Sequence, residues 1–125
     1  MTTDDRFAPA NLRTKPDVAV TDFAALDLRV GTVTSVDSFP EADKPSWKVA
    51  VDFGPVLGER RTSAQITNYS ADQLVGRRVV GAMNLGTRRI AGFDSEFLVL
   101  GALEPDGAVH LLAVDGDVPD GAPIA

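Results

Sequence analysis

Apolar and polar residues alternate most cleanly between Trp47 and Phe53, where Trp47, Val49, Val51 and Phe53 fall on one face of an extended chain and Lys48, Ala50 and Asp52 on the other. Period-two spacing predicts a strand with one face buried. An earlier run sets Leu26, Leu28 and Val30 against Asp27, Arg29 and Gly31, then loses phase before Val33 and Val36. A glycine at such a phase break predicts a bulge or sharp bend at Gly31. Gly54, Pro55 and Gly58 supply a turn, and a short polar strand follows from Arg60 to about Ile66. Ser70, Ala71, Asp72 and Gln73 form a capping box, Tyr69 and Leu74 occupy the staple positions, and Gly76 stands where a helix stops. Further apolar strands are predicted over Val79 to Asn84, Phe97 to Leu100 and His110 to Val114, the last two separated by the turn Pro105, Asp106, Gly107. Met1 to Val20 shows no periodicity and mixes Pro9 and Pro16 with charges, so residues 1–20 read as a flexible arm and 21–125 as the folded domain.

Short strands, a bent first strand and one helix between the third and fourth strands describe a mainly β fold, an OB-fold five-stranded Greek-key barrel with a C-terminal extension. An SH3-like or other small barrel fits the pattern almost as well. With 125 residues, 44% of them apolar, the chain has enough core for one domain. It contains no cysteine, which removes disulfide, thiolate and redox chemistry. No apolar run reaches membrane-spanning length and Met1 opens no secretory leader, so a cytoplasmic protein without membrane insertion is expected.

A net charge of −6 argues against a generic nucleic-acid binder, whose footprint is a basic face. The charge is unevenly spread. Between Glu59 and Gly92 six arginines stand against two acids, while from Phe93 onward there are seven acids and no lysine or arginine. Solvated surface charge is the plain alternative for the three arginine pairs.

Catalytic readings find no support. His110, the only histidine, has no neighbouring ligand at metal spacing, and Asp115, Asp117 and Asp120 are out of step with a calcium loop and lack its closing glutamate. No serine has a base to activate it and no glycine fingerprint cradles a nucleotide, so neither enzyme activity nor a cofactor or metal is expected.

The stretch Asn84 to Leu100 carries the candidate chemistry. Arg88, Arg89 and a glycine turn precede the apolar run Phe97 to Leu100, so cationic forks and the Ser95 hydroxyl are expected at a strand's mouth. Trp47 and Phe53 fit the buried face of their strand. Phe39 and Phe93 fall in turns and are expected to form an exposed apolar patch beside the arginines.

That stretch also resembles the signature of the tRNA-binding OB-fold family, above all its CsaA branch of secretion chaperones. Three more segments extend the resemblance: Asp27 to Gly31 as the opening strand, Phe39 to Lys44 as the first-turn motif, and Ser63 to Thr67 as the third strand. Together they cover roughly Asp22 to the C-terminus in the family's order. The chain departs from tRNA-binding members at Gly86, Thr87, Asp94 and Leu98, and Asp94 sets an acid beside the arginine pair. An acid there weakens phosphate contact without touching the fold. The resemblance therefore implies a noncatalytic homodimeric chaperone for unfolded or export-bound preprotein polypeptide. Its alternative is structure-specific tRNA binding. Either partner is expected to meet Asn84, Arg88, Arg89, Ser95, Phe39, Phe93 and Lys44. The C-terminal run Val118 to Ile124 is expected either to join the dimer contact or to cover an edge of its own barrel.

Overall fold

The computed structural model describes residues 4–125; the first three residues of the N-terminal arm lie outside the described residues. Pro9–Asn11 form one 3₁₀ turn, and helix α1 (Val20–Ala24) leads into the barrel. Near the start of the described chain, Phe7 donates its N–H to the Pro105 carbonyl (2.9 Å) and Arg6 Nη2 donates to the Asp106 carbonyl (3.0 Å).

Strand β1 (Leu28–Ser38) pairs antiparallel with β2 (Trp47–Asp52), which pairs with β3 (Glu59–Ala64) after the short helix α2 (Gly54–Leu57). Helix α3 (Ala71–Leu74) follows, capped as its sequence dictates: Gln73 N–H donates to Ser70 Oγ (3.2 Å) and Ser70 N–H to Gln73 Oε1 (2.8 Å). Strand β4 (Arg78–Ala82) returns beside β1. A hairpin of β5 (Arg88–Ile90) and β6 (Phe93–Ser95) then projects, and β7 (Leu98–Val99) pairs with β4. A last hairpin, β8 (Gly101–Leu103) with β9 (Val109–Leu111), completes the strands. The five-stranded antiparallel sheet runs β3-β2-β1-β4-β7 and curls into a nearly closed barrel, the OB-fold architecture.

The bulge in β1 lies between Val33 and Ser35, not at Gly31, which pairs in regular register with Val79. Gly31 is there for space. A Cβ on it would stand 2.5 Å from Val51 and 2.8 Å from the Phe53 ring, and one on Gly81 2.8 Å from the same ring. Phe53 thus sits across two bare stretches of backbone and meets Phe97 edge-on, with ring centroids 4.9 Å apart.

Because Gly31 and Val33 face the interior, their neighbour Val30 turns to the outer side of the sheet, as does Val80 opposite it. Val30 is nevertheless buried, and the C-terminal segment lies along the β1 backbone beside it. Val30 N–H donates to Ala122 O (3.0 Å), Gly121 N–H to Val30 O (2.7 Å) and Ile124 N–H to Leu28 O (2.9 Å). β2 pairs only from Thr32 onward, so this segment covers the edge of β1 that β2 leaves open. Asp120 fixes it further, accepting from Thr32 Oγ1 (2.8 Å) and pairing with Arg78 (3.6 Å).

Candidate functional site

The barrel closes on one side through side-chain bonds and one main-chain bond rather than a strand ladder. Ser63 N–H donates to Ser95 Oγ (3.0 Å), the two serine hydroxyls share a hydrogen bond (2.9 Å), and Thr62 Oγ1 donates to Phe97 O (2.7 Å). Glu96 is fastened to Arg61 by two bonds, its N–H to the Arg61 carbonyl (2.8 Å) and its Oε1 from the Arg61 N–H (3.0 Å). This seam roots the β5–β6 hairpin, whose turn residues Ala91 (φ 46°) and Gly92 (φ 82°) both take the left-handed conformation of a tight two-residue turn.

Beside the hairpin opens a groove of about 760 Å³, walled by Ala42 to Lys44 and Ser46 of the β1–β2 loop, by Ser63 to Ile66, by Arg88, Ile90 and Ala91, and by Leu98, Val99 and Val109. OB-fold barrels bind ligands on this face, where strands 2 and 3 lie between the first and last inter-strand loops. A second depression of about 330 Å³ is lined by Ser35, Asp37, Lys48, Arg61 and Phe93. Ile90 lines the first and its cross-strand partner Phe93 the second, so the hairpin stands between them.

Of the six clustered arginines, four are engaged within the fold. Arg60 Nε donates to Leu57 O (3.0 Å), Arg77 Nε donates to Gln73 O (3.1 Å) while its guanidinium lies over the Tyr69 ring, and Arg78 Nη2 donates to Val118 O (2.6 Å). Arg89 pairs with Asp94 across the hairpin at 2.8 Å. The guanidinium groups of Arg61 and Arg88 are exposed and have no hydrogen-bond or ion-pair partner among the described residues. Lys44 is likewise exposed at the groove's rim.

The other sequence-selected residues divide by environment. Asn84 clamps backbone: its Oδ1 accepts from Asp27 N–H and its Nδ2 donates to Ala25 O, both at 2.8 Å. Ser95 is buried in the seam. Phe39 does not form the exposed patch expected of a turn residue, being only 4% exposed. Its ring meets Phe93 at 5.6 Å, and the Lys48 ammonium stands 4.7 Å from the Phe39 centroid and 5.2 Å from that of Phe93. Two rings sharing one cation draw Phe39 inward and leave Phe93 half-buried at the rim.

Lys48 and Arg61 were not selected from the sequence, yet they place cations on this face. Their signal lies in the alternation itself: Val49 and Thr62 point inward, which turns Lys48 and Arg61 outward, where both line the second depression. Among the described residues no group of three or more His, Asp or Glu side chains is arranged to hold a metal ion, and no helix is long and apolar enough to cross a membrane.

The family model for the putative tRNA binding domain matches residues 28–123. The structure is similar to that of the CsaA chaperone protein from Picrophilus torridus, with a TM-score of 0.83 and 42% identity over 87% of this chain and 100% of that one. It is equally similar to the chaperone CsaA of Bacillus anthracis, with a TM-score of 0.83 and 41% identity over 88% and 100%. Among curated sequences it is 35% identical over 109 residues to a methionine–tRNA ligase of Porphyromonas gingivalis and 40% identical over 106 residues to one of Salinibacter ruber. The chain spans 16% and 14% of those two ligases and 86% and 82% of its own length is covered.

Proposed function

The chain belongs to the putative tRNA binding domain family, and from that premise we propose that it is a noncatalytic binding module acting as a cytoplasmic chaperone for unfolded or export-bound polypeptide. The observation that carries this reading is the make-up of the groove. Ile66, Ile90, Leu98 and Val99 give it an apolar lining, and its only cations among the described residues are Lys44 and Arg88, with the acid Asp43 beside Lys44 in the same loop. An apolar lining with sparse, mixed charge suits an extended chain of ordinary composition better than a run of phosphates. Asp94 points the same way, since it occupies Arg89. The likeness to two CsaA chaperones, at 42% and 41% identity, supports this reading.

tRNA is the second reading, favoured by the family itself and by the free cations Lys44 and Arg88 at the groove and Arg61 in the depression beyond the hairpin. Calorimetric titration against a permanently unfolded, carboxymethylated protein and against bulk tRNA, each at low and high salt, separates the two. Polypeptide binding that changes little with salt, without measurable tRNA affinity at low salt, is the expected result. Steep loss of tRNA binding with salt and indifference to unfolded protein would reverse the order.

The working unit we propose is a homodimer. Val18, Val20, Phe23 and Leu26, clustered in sequence around α1, all remain more than 40% exposed in the single chain, a concentration of apolar surface that a second copy would cover. Light scattering at micromolar concentration should report about twice 13.2 kDa, and a monomer would end the proposal.

A further inference from the structure

β3 and β7 are the terminal strands of the five-stranded sheet, so each has one backbone edge that no neighbouring strand pairs. Along β3 the seam takes up this edge at Arg61 and Ser63, through Glu96 and Ser95. There the cover stops. Buried Ala64 and Ile66 on either side of exposed Gln65 carry the extended, alternating chain past the strand's end, which sets the Gln65 N–H and C=O on the same edge as those of Ser63. Neither is hydrogen-bonded to another described residue.

Across the groove the register of β7 gives the matching result. Leu100 donates its N–H to Val80 O (2.9 Å), which makes Leu100 with Val80, and hence Leu98 with Ala82, the hydrogen-bonded pairs of this antiparallel ladder. Val99 lies between them and turns its N–H and C=O away from β4. Gln65 and Val99 both line the groove, so two walls present unpaired main-chain donors and acceptors.

We infer that the groove takes an extended polypeptide segment as an added strand, its main chain hydrogen-bonded to Gln65 on one wall or Val99 on the other. This rests on the polypeptide reading above and says how the partner is held. Main-chain hydrogen bonds recognise an extended chain whatever its side chains, which a binder of varied unfolded sequences requires. Alternate side chains of the segment would rest on Ile66, Ile90 and Leu98, and a carboxylate among the others would reach Arg88 or Lys44. Asp43 on the same rim disfavours a strongly acidic run, so the preferred segment mixes apolar residues with one or two acids.

Residue-resolved hydrogen exchange on the full chain, with and without a saturating carboxymethylated unfolded protein, tests the inference. The Gln65 or Val99 amide should slow by at least about tenfold, as expected of an amide newly hydrogen-bonded in a bound complex. A second arm uses a ten-residue peptide of alternating apolar and polar residues, N-methylated at alternate positions along one edge or along the other. One methylated form should bind at least about tenfold more weakly and the other within about threefold of the parent, because a strand added to one wall uses one edge. If the unfolded protein binds but neither amide is protected and both methylated forms bind like the parent, the added strand is wrong and the polypeptide reading stands. If no unfolded protein binds, the polypeptide reading falls and the inference with it.

Discussion

The Arg89 guanidinium meets the Asp94 carboxylate 2.8 Å away, directly across the β5–β6 hairpin. Both side chains are more than half exposed, so solvent screens the pair and it adds little to stability. Its effect is on charge. Asp94→Asn should leave the thermal midpoint within about 2 °C while freeing a second arginine beside Arg88. Affinity for bulk tRNA should rise at low salt, with the log–log salt dependence steeper by about one, as measured by filter binding over a salt series.

Phe39 and Phe93 touch, yet they should respond differently to truncation. Phe39→Ala empties a buried site and should cost about 3–5 kcal/mol, enough to lower the thermal midpoint by more than about 10 °C. Phe93 is half-buried, so Phe93→Ala should cost less than half as much. Urea titration of both variants checks the ranking. It also makes Phe93, not Phe39, the usable probe of ligand binding.

Gly31→Ala and Gly81→Ala should each destabilise, since the new methyl group meets the Phe53 ring at 2.8 Å. Overpacking of this kind costs about 1–3 kcal/mol. Phe53→Leu should recover part of the loss in either background, and additivity of the two substitutions, read by a double-mutant cycle, would rule out the shared contact.

Gly54 and Gly121 cross backbone to backbone: a Cβ on Gly54 would stand 2.3 Å from Asp120 O and one on Gly121 2.6 Å from Phe53 O, and both residues have positive φ. Gly121→Val should therefore lift the C-terminal segment from β1. The expected signs are faster exchange of the Val30 amide and aggregation on warming, because the edge of β1 is left open.

Removal of residues 1–17 should lower the thermal midpoint by less than about 5 °C. Among the described residues, the arm's hydrogen bonds to the barrel are those of Arg6 and Phe7 to the turn at Pro105 and Asp106, and exposed hydrogen bonds of this kind are worth about 1 kcal/mol. A larger fall in a thermal scan would show that the arm is part of the folding unit.

Where a segment is buried on one face and wet on the other, the sequence was legible, as in β2 and in the box that caps α3. β1 misleads because Val30 is buried although it turns away from the barrel core, so Leu28 and Val30 mark the outside of the barrel rather than its interior. The strand after the hairpin is shorter than its apolar run suggested, and the last begins at Val109 and ends at Leu111 rather than running from His110 to Val114. Within the site, period-two spacing alone could not distinguish a turn phenylalanine that waits for a ligand from one drawn under Lys48. Nor could it show that Asn84 and Ser95 spend their polar atoms on the fold.

Leu28 to Val30 and Gly121 to Ile124 lie at opposite ends of the folded sequence, yet they are hydrogen-bonded neighbours. During synthesis the first strand is made roughly 90 residues before the segment that seals its edge, the separation of Val30 and Ala122. At about 5–20 residues per second the nascent chain passes several seconds with that edge bare. The edge of the first strand therefore stays open to other partners until Gly121 to Ile124 have left the ribosome's exit tunnel, so the nascent barrel is most exposed to mispairing during that interval.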